Sequence, residues 1–302
     1  MNTLLPMKRR LGLTTAISML AVSLLGITPA QAATATSTAV NFPGARPFTL
    51  RLPSTYTKAK PAPLIVALHG YTSSGAETEK YLNITPVAAA KGILYVAPNG
   101  TVDGLGSTFW NATPACCNFY SSKVNDEAYI MSIIDSVSKK YNVDQKRIYV
   151  VGHSNGGFMA HHMACTHSDR IAAIVSFAGA TYKDQSMCKP SQPISVLQIW
   201  GTADETIHYN GGQLVNPYPG AAETIADWVK LDKCNTTPIV DPKKIDIESS
   251  IVGSETTVTN YAGCSKKTTV TLWSIAGGQH VPTLQPDFAA RVINFLLAHP
   301  KV

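Results

Sequence analysis

Residues 147–160 read Arg-Ile-Tyr-Val-Val-Gly-His-Ser-Asn-Gly-Gly-Phe-Met-Ala, an apolar, β-branched run that passes directly into a helical pattern. Ser154 stands at the junction, with Gly152 and Gly156 two residues to either side. A serine on a sharp turn between a strand and a helix is held above the sheet, where unpaired N–H groups of the helix favour negative charge. The glycines let the two backbones approach each other closely. The stretch therefore predicts that Ser154 is an exposed nucleophile.

Apolar segments and helical patterns alternate along the rest of the chain. We predict strands at residues 47–52, 64–68, 93–97, 147–151, 171–177, 195–200 and 268–275. We predict helices at residues 77–91, 126–141, 155–166, 221–231 and 286–298. This alternation is typical of an α/β fold with a mostly parallel central sheet flanked by helices, here the α/β-hydrolase fold. The short interval between residues 177 and 195 leaves no room for a helical lid, so we expect an open cleft and no lid domain.

The N-terminus has the three parts of a secretory signal peptide. Three basic residues precede an uncharged apolar run over residues 11–27, and Ala-Gln-Ala at residues 30–32 has the small-residue form of a cleavage site. The apolar run is shorter than the roughly 20 residues that a membrane span needs. We therefore predict a signal peptide at residues 1–32 and a single catalytic domain at residues 33–302 that is secreted and free of the membrane.

The charge balance argues against a nucleic-acid partner. The chain has 25 Lys and Arg against 19 Asp and Glu, a net charge of +6, but three of the basic residues lie in the predicted leader. The remaining positive charges form no cluster and indicate an ordinary solvated surface. We expect a monomer that does not bind nucleic acid.

Six cysteines follow the predicted leader, at Cys116, Cys117, Cys165, Cys188, Cys234 and Cys264. An even number in an oxidising compartment predicts three disulfides, for which fifteen pairings are possible. Because Cys116 and Cys117 are adjacent, we expect them to bond elsewhere, with a strained vicinal bridge as the alternative. No CxxC or HExxH spacing occurs, so we expect no metal site and interpret His161, His162 and His167 as polar surface.

A serine nucleophile needs a base, and the base needs a carboxylate that orients it. In the α/β-hydrolase fold these residues follow one another in the order serine, acid, histidine. Asp204 follows the strand at residues 195–200, at the strand end where α/β sheets build their sites. His280 follows the last strand on a flexible Ala-Gly-Gly-Gln loop. We therefore predict Ser154, Asp204 and His280 as the catalytic triad.

Three other residues compete for these roles or border them. Glu205 is the nearest rival to Asp204 as the acid. His208 lies only four residues beyond Asp204, and we predict that it lines the cleft and contacts substrate. His299 lies at the end of the final predicted helix, where a cation is favourable to the helix dipole.

The oxyanion hole of this fold takes one N–H from the residue after the nucleophile and another from a loop after an early strand. Asn155 and Tyr71 are the predicted donors, and Gly70 lets the second loop bend. Thr72 on the same loop is a predicted substrate contact, and the Tyr71 ring either walls the acyl pocket or packs. Trp110 lies on a loop, so its ring is predicted either to stack on a bound acyl or aromatic group or to pack.

Six segments together resemble the extracellular polyhydroxybutyrate depolymerase and feruloyl esterase family of α/β hydrolases. They are LIVALHG at 64–70, FWNATPACC at 109–117, GHSNGGF at 152–158, WGTAD at 200–204, YNGG at 209–212 and GGQHV at 277–281. The resemblance implies the same triad, a secreted location, no cofactor, and ester substrates of hydroxyalkanoate polymers or plant-wall hydroxycinnamates. The chain departs from the family at His280-Val281-Pro282-Thr283, where a Trp is usual, and at Asn125-Asp126, where paired acids are usual. Both departures bear on the identity of the substrate.

We therefore predict a secreted serine carboxylic-ester hydrolase that works through an acyl-enzyme. The first alternative is a serine peptidase, which would use the same three residues on the same fold. The second is a non-catalytic binding module, which predicts that at least one triad residue is missing, whereas all three are present.

Overall fold

The computed structural model describes residues 1–2 and 35–302, and its centre is a single large sheet. In spatial order the described strands of this sheet are β1 (Ser37–Phe42), β2 (Phe48–Pro53), β4 (Leu94–Val96), β3 (Ala62–Leu68), β7 (Val143–His153), β8 (Ala173–Phe177), β9 (Ser195–Gly201), β14 (Val270–Ile275), β13 (Thr256–Tyr261) and β12 (Ile239–Val240). Neighbours from β4 to β14 pair in parallel, and the outer strands pair antiparallel. The predicted mostly parallel sheet is confirmed.

Helices cover this sheet, and two small ribbons lie outside it. The helices are α1 (Gly75–Leu82), α2 (Ile84–Ala90), α3 (Asp126–Lys140), α4 (Asn155–Thr166), α5 (Ala221–Leu231) and α6 (Phe288–Ala298). The ribbons pair β5 (Thr101–Val102) with β6 (Thr108–Phe109) and β10 (Gly211–Gln213) with β11 (Pro217–Pro219). Every residue of β3, β8 and β9 is buried, because helices pack on the central strands. That burial explains the continuous apolar runs in the sequence.

The observed elements differ from the sequence predictions at one helix and at the outer strands of the sheet. The helix expected at residues 77–91 is two helices, because Asn83 adopts a left-handed conformation with φ 49° between α1 and α2. Asn tolerates this conformation better than most residues do. The outer strands β1, β12 and β13 were not predicted; β13, for example, contains three Thr among its six residues, and only Thr256 and Val258 of this strand are buried.

The connection from β8 to β9 contains no α-helix within residues 178–194, only a single 3-10 turn at Gln185–Met187. The predicted absence of a helical lid at this point therefore agrees with the fold. Residues 35–302 contain no helix long and apolar enough to cross a membrane. The predicted signal peptide, apart from its first two residues, lies outside the described residues.

Three disulfides pair all six cysteines, as Cys165–Cys188, Cys234–Cys264 and Cys116–Cys117. The prediction of three bridges is confirmed. The expectation that Cys116 and Cys117 bond elsewhere is wrong, because the other four cysteines are already paired with one another. The vicinal bridge lies in the loop between β6 and α3 and is buried.

The interpretation of His161, His162 and His167 as polar surface is wrong for His161, which is fully buried under the sheet. Its Nε2–H donates to Oε1 of Gln198 at 2.8 Å, and its Nδ1 accepts from Nε1–H of Trp228 at 3.0 Å. His162 and His167 are partly buried, and each bonds Glu127. The amphipathic pattern of α4 is weak, because the helix is buried on nearly all sides.

The burial of His161 predicts a pH dependence of stability. Burial lowers the pKa of His161 from its ordinary value of 6.5 to about 4. Between these values the unfolded chain binds a proton that the folded protein does not, so stability is lost as the pH falls from about 6.5 to about 4. Between pH 6.5 and pH 4, the free energy of unfolding of His161→Gln is expected to fall by about 3 kcal/mol less than that of the wild type.

Urea unfolding of the wild type and of His161→Gln at pH 7, 5 and 4 measures this difference. The variant is expected to start from a lower stability at pH 7, because the Gln side chain cannot place its donor and acceptor where the imidazole ring bonds Gln198 and Trp228. The informative quantity is the slope with pH. Equal slopes in the two proteins would show that His161 is not held neutral by burial.

Candidate active site

Ser154 lies between the end of β7 and the first residue of α4, with φ 55° and ψ −121°. A Cβ placed on Gly152 would lie 1.9 Å from the carbonyl oxygen of Gly156, and one on Gly156 would lie 2.1 Å from the carbonyl oxygen of Leu68. Real Cβ atoms do not approach backbone so closely, so both positions require glycine. The turn has the geometry of the nucleophile elbow that the sequence predicts.

Ser154, His280 and Asp204 form a continuous chain of hydrogen bonds. The Oγ of Ser154 lies 2.9 Å from Nε2 of His280, and Nδ1 of His280 lies 2.8 Å from Oδ2 of Asp204. Because a carboxylate only accepts, Nδ1 carries the proton and Nε2 is free to accept from the serine hydroxyl. This arrangement can remove the proton from Ser154 during an attack by its oxygen.

The second carboxylate oxygen of Asp204 is also occupied. Oδ1 accepts from the backbone N–H groups of Thr206 at 2.9 Å and Ile207 at 2.8 Å. The Asp204 side chain has no exposed surface. These bonds fix the carboxylate and turn the chain sharply after β9. Glu205, the rival acid, is exposed on this turn.

The parallel sheet explains why residues so distant in sequence meet. Ser154 follows β7, Asp204 follows β9 and His280 follows β14, while Tyr71 follows β3. The carboxyl ends of parallel strands lie at one edge of a sheet, so the four loops converge there. His299 does not belong to this edge, since it ends α6 and donates from Nδ1 to the Phe295 carbonyl.

The loop after β3 passes close to the nucleophile. A Cβ placed on Gly70 would lie 3.3 Å from Cβ of Ser154. Among residues 35–302, the backbone N–H groups of Tyr71 and Asn155 have no hydrogen-bond acceptor, which leaves them available to a ligand. The two predicted oxyanion donors therefore lie next to Ser154 in the chain and on the loop that passes it, and their role stays a prediction.

His69 fixes the shape of this loop. Its Nδ1–H donates to the Gly70 carbonyl at 2.7 Å, and its Nε2 accepts from the Gly100 N–H at 2.8 Å. Burial lowers the pKa of His69, so the imidazole stays neutral in the one tautomer that satisfies both bonds. The sequence motif His69-Gly70 thus has a structural basis in the loop itself.

Of the two roles predicted for the Trp110 ring, stacking on a substrate or packing, the structure shows packing. Trp110 is 0% exposed, and its Nε1–H donates to the His69 carbonyl at 3.1 Å beneath the loop. Its backbone pairs with the Asn155 side chain, which accepts from the Trp110 N–H at 2.7 Å and donates to the Trp110 carbonyl at 3.0 Å. Trp110 therefore supports the two loops that carry the candidate oxyanion donors.

The support extends to Asp126, the first residue of α3. Asn125 is the cap of α3, since its side chain accepts from the Ala128 N–H. Asp126 is buried and accepts from Nη1 of Arg46 at 2.6 Å and from the backbone N–H of Asn111 at 2.7 Å. It anchors the loop that carries Trp110. No periodic pattern in the sequence marks this role.

An open cleft of about 370 Å³ lies over Ser154. It is lined by Gly70, Tyr71, Thr72, Ser73, Glu77, Thr78, Tyr81, His153, Ser154, His280 and Val281. Tyr71 and Thr72 are at the cleft as predicted, and the Tyr71 hydroxyl donates to Asp103 at 2.7 Å. His208 is exposed on the turn after Asp204 and is not among these lining residues, and its contact with substrate stays a prediction.

Sequence reasoning missed His153 and Tyr81, which line the cleft beside His280. His153 occupies the variable position of the Gly-x-Ser-x-Gly pattern, which by itself assigns no role to that side chain. Within residues 35–302 no group of three or more His, Cys, Asp or Glu side chains is arranged to hold a metal ion.

The elbow, the hydrogen-bonded serine, histidine and aspartate, and the parallel sheet define an α/β hydrolase. Residues 55–231 match the sequence model of the Phospholipase/Carboxylesterase family. The chain belongs to this family.

Curated relatives include feruloyl esterases and a putative esterase. The chain is 29% identical to feruloyl esterase B of Piromyces equi over 240 residues, which cover 76% of the chain and 42% of that protein. It is 24% identical to feruloyl esterase D of Neurospora crassa, covering 79% and 74% of the two chains. The alignment with feruloyl esterase B covers less than half of that relative. The alignment with the putative esterase NocK of Nocardia uniformis subsp. tsuyamanensis likewise covers only 48% of that relative. The predicted resemblance to feruloyl esterases is confirmed.

Solved structures share the fold at low sequence identity. An acetyl xylan esterase from Aspergillus awamori superposes with a TM-score of 0.62 at 14% identity, over 86% of this chain and 98% of that one. A CE1 ferulic acid esterase from Anaeromyces mucronatus has a TM-score of 0.51 at 13% identity, over 88% and 90%. At these identities the likeness shows the α/β-hydrolase fold alone.

The contacts at the elbow predict that Gly156→Ala prevents its formation. The added methyl group would overlap the Leu68 carbonyl, so strand β3 and helix α4 would have to separate. We expect loss of labelling of Ser154 by a fluorophosphonate probe, together with low yield of folded protein. Gly104→Ala is the matched control, since its Cβ would meet only the Tyr120 ring at 3.6 Å. Normal labelling of Gly156→Ala would contradict the tight elbow.

Proposed function

We propose that the protein is a secreted serine carboxylic-ester hydrolase, with residues 33–302 as its catalytic domain. The observation that carries the proposal is the bonded series Ser154, His280 and Asp204 at the floor of an open cleft. The free N–H groups of Tyr71 and Asn155 beside Ser154 add the second requirement of acyl transfer, a site for a negatively charged oxygen.

In the proposed acylation step, the Ser154 oxygen attacks the carbonyl carbon of the ester while Nε2 of His280 takes the hydroxyl proton. Asp204 keeps the proton on Nδ1 and stabilises the imidazolium that forms. The carbonyl oxygen becomes an oxyanion and accepts from the two free N–H groups. Collapse of the intermediate breaks the ester bond, and His280 donates its proton to the leaving alcohol.

Deacylation repeats these steps with water. Nε2 of His280 removes a proton from water, and the hydroxide oxygen attacks the acyl carbon. The bond to the Ser154 oxygen then breaks, and His280 returns the proton to that oxygen. The products are a free carboxylic acid and the original enzyme, so no cofactor is required for the balance of the reaction.

For the natural substrate we propose esters of hydroxycinnamic or acetic acid on plant cell-wall polymers. The names of the feruloyl and acetylxylan esterase relatives support this class. The cleft supports it as well, because it is open enough for a polymer and its wall includes the Tyr71 ring, against which Phe119 packs at 5.2 Å. Aromatic acyl groups pack favourably on such rings.

A polyester substrate is the second candidate, and one surface feature favours it. Leu105, Phe119 and Tyr120 are 76%, 47% and 47% exposed on the loops next to Tyr71. Apolar side chains exposed together near a cleft are typical of a binding surface. An aliphatic polyester is apolar enough to contact them. A peptidase or a non-catalytic module of the same fold has no comparable support.

Secretion and a monomeric state complete the proposal. The predicted leader at residues 1–32 supports export, and the three disulfides suit an oxidising compartment outside the cytoplasm. We place the mature protein in the extracellular space or the periplasm.

Ser154→Ala is expected to lower kcat on p-nitrophenyl acetate by about 10⁶-fold, because nucleophile and base act as one unit. The measurement is the rate of p-nitrophenolate release by the purified variant. Ser186→Ala, which changes an exposed serine far from the elbow in sequence, is the control and should retain full activity. Hydrolysis that survives loss of the Ser154 hydroxyl would contradict the assignment of the nucleophile.

A panel of substrates separates the candidate functions. We expect methyl ferulate and acetylated xylan to be hydrolysed with a higher kcat/KM than polyhydroxybutyrate film. We also expect no hydrolysis of an acyl p-nitroanilide under conditions in which the p-nitrophenyl ester of the same acyl group is hydrolysed. Faster release from the film would favour the polyester. Cleavage of the anilide at a rate near that of the ester would favour a peptidase, and inertness of every ester would exclude the proposed function.

A further inference from the structure

The position of the base His280 depends on contacts made by its loop. The loop leaves β14 through Gly277 and Gly278, and glycine pairs constrain a backbone weakly. Gly278 is held through bonds to Ile275 and Ala203. Beyond the glycines, the His280 carbonyl bonds Nε2 of His153 at 2.9 Å, and the Pro282 carbonyl accepts from the Tyr81 hydroxyl at 3.2 Å.

His153 is enclosed by the parts that must be aligned. It directly precedes Ser154, is 9% exposed, and its ring lies 5.0 Å from the His280 ring and 5.3 Å from Tyr81. A Cβ placed on Gly70 would lie 3.5 Å from its Nδ1. One imidazole thus contacts the elbow, the base loop and the loop of the candidate oxyanion donors.

The bond from His153 has a defined direction. A carbonyl oxygen only accepts, so Nε2 of His153 carries the proton and donates it to the His280 carbonyl. The donor belongs to the residue next to the nucleophile, on the rigid end of β7. The acceptor belongs to the base itself. The bond therefore connects the elbow directly to the backbone of the loop that carries His280.

We propose that His153 is a positioning residue, whose neutral imidazole holds the His280 backbone at the distance from Ser154 that proton transfer requires. The proposal rests on the proposed function, because it assigns His280 the role of base. Nothing in the Gly-x-Ser-x-Gly pattern requires this histidine. Its role follows from the hydrogen bond and from its burial between the three loops.

The environment keeps His153 uncharged while His280 changes charge. Burial, followed by repulsion from His280, lowers the pKa of His153 to about 4, against the smaller opposing effects of its hydrogen bond to the His280 carbonyl and of the Asp204 charge. A second cation beside the His280 imidazolium would oppose the first proton transfer. His153 can therefore supply a hydrogen bond without adding charge where the base becomes positive.

The test compares two substitutions of similar length. His153→Gln keeps a neutral N–H donor at about the reach of Nε2, whereas His153→Met removes the donor and retains an unbranched side chain. We expect His153→Met to lower kcat for p-nitrophenyl acetate by about 10- to 100-fold, with KM changed less than about 3-fold, because a small displacement of a reacting group costs rate. His153→Gln should restore kcat to within about 5-fold of the wild type.

A second measurement does not depend on activity. In ¹⁵N-histidine-labelled protein, the Nδ1–H of His280 that donates to Asp204 should give a downfield proton resonance. We expect this resonance in the wild type and in His153→Gln. In His153→Met we expect it to broaden or disappear, because the loop that carries His280 moves. Thermal unfolding followed by circular dichroism identifies any variant that fails to fold.

Several outcomes would overturn the proposal. A wild-type kcat in His153→Met would overturn it. An equal loss of kcat in both variants would also overturn it, because such a loss indicates packing alone. A change confined to KM would overturn it as well. If the wild type hydrolyses no ester while the resonance still separates Gln from Met, the proposed function fails and the positioning contact stands. If esters are hydrolysed and the two variants behave alike, only the role of His153 fails.

Discussion

The close approach of β7 and α4 at Ser154 is the constraint on which the rest of the site depends. The backbone of Gly156 occupies the space that a side chain on Gly152 would need. Because Gly152 has no side chain, β7 can turn into α4 within one residue. The turn holds Ser154 at φ 55°, a conformation that costs a non-glycine residue on the order of 1–3 kcal/mol. The backbone bond from Ser154 to Phe177 at 2.8 Å and the helix that follows offset this cost.

The sheet then determines which groups can reach that serine. His280 lies 126 residues away in the chain, yet its Nε2 is 2.9 Å from the Ser154 hydroxyl. This is possible because β7 and β14 run in the same direction and end at the same edge. Asp204, on the loop after β9, accepts from Nδ1–H of His280 and so leaves Nε2 free to face the Ser154 hydroxyl.

Behind these groups lies a buried polar scaffold. Asp126 holds the loop of Trp110, and the backbone of Trp110 holds the Asn155 side chain. His69 and His153 each donate a hydrogen bond to a backbone carbonyl, and burial lowers the pKa of both. Neutral imidazoles suit this scaffold because they donate hydrogen bonds without adding charge near the reacting centre.

The sequence by itself determined the α/β class, the elbow at Ser154 and the order of the residues that meet it, because these follow from local periodicity and from the direction of parallel strands. The tertiary structure alone decided the burial of Trp110, the partners of His161, the vicinal disulfide and the contact of His153 with His280. Each of these depends on which atoms face one another across separate loops. Burial and contacts between loops that are distant in sequence produce no periodic pattern in the amino-acid sequence.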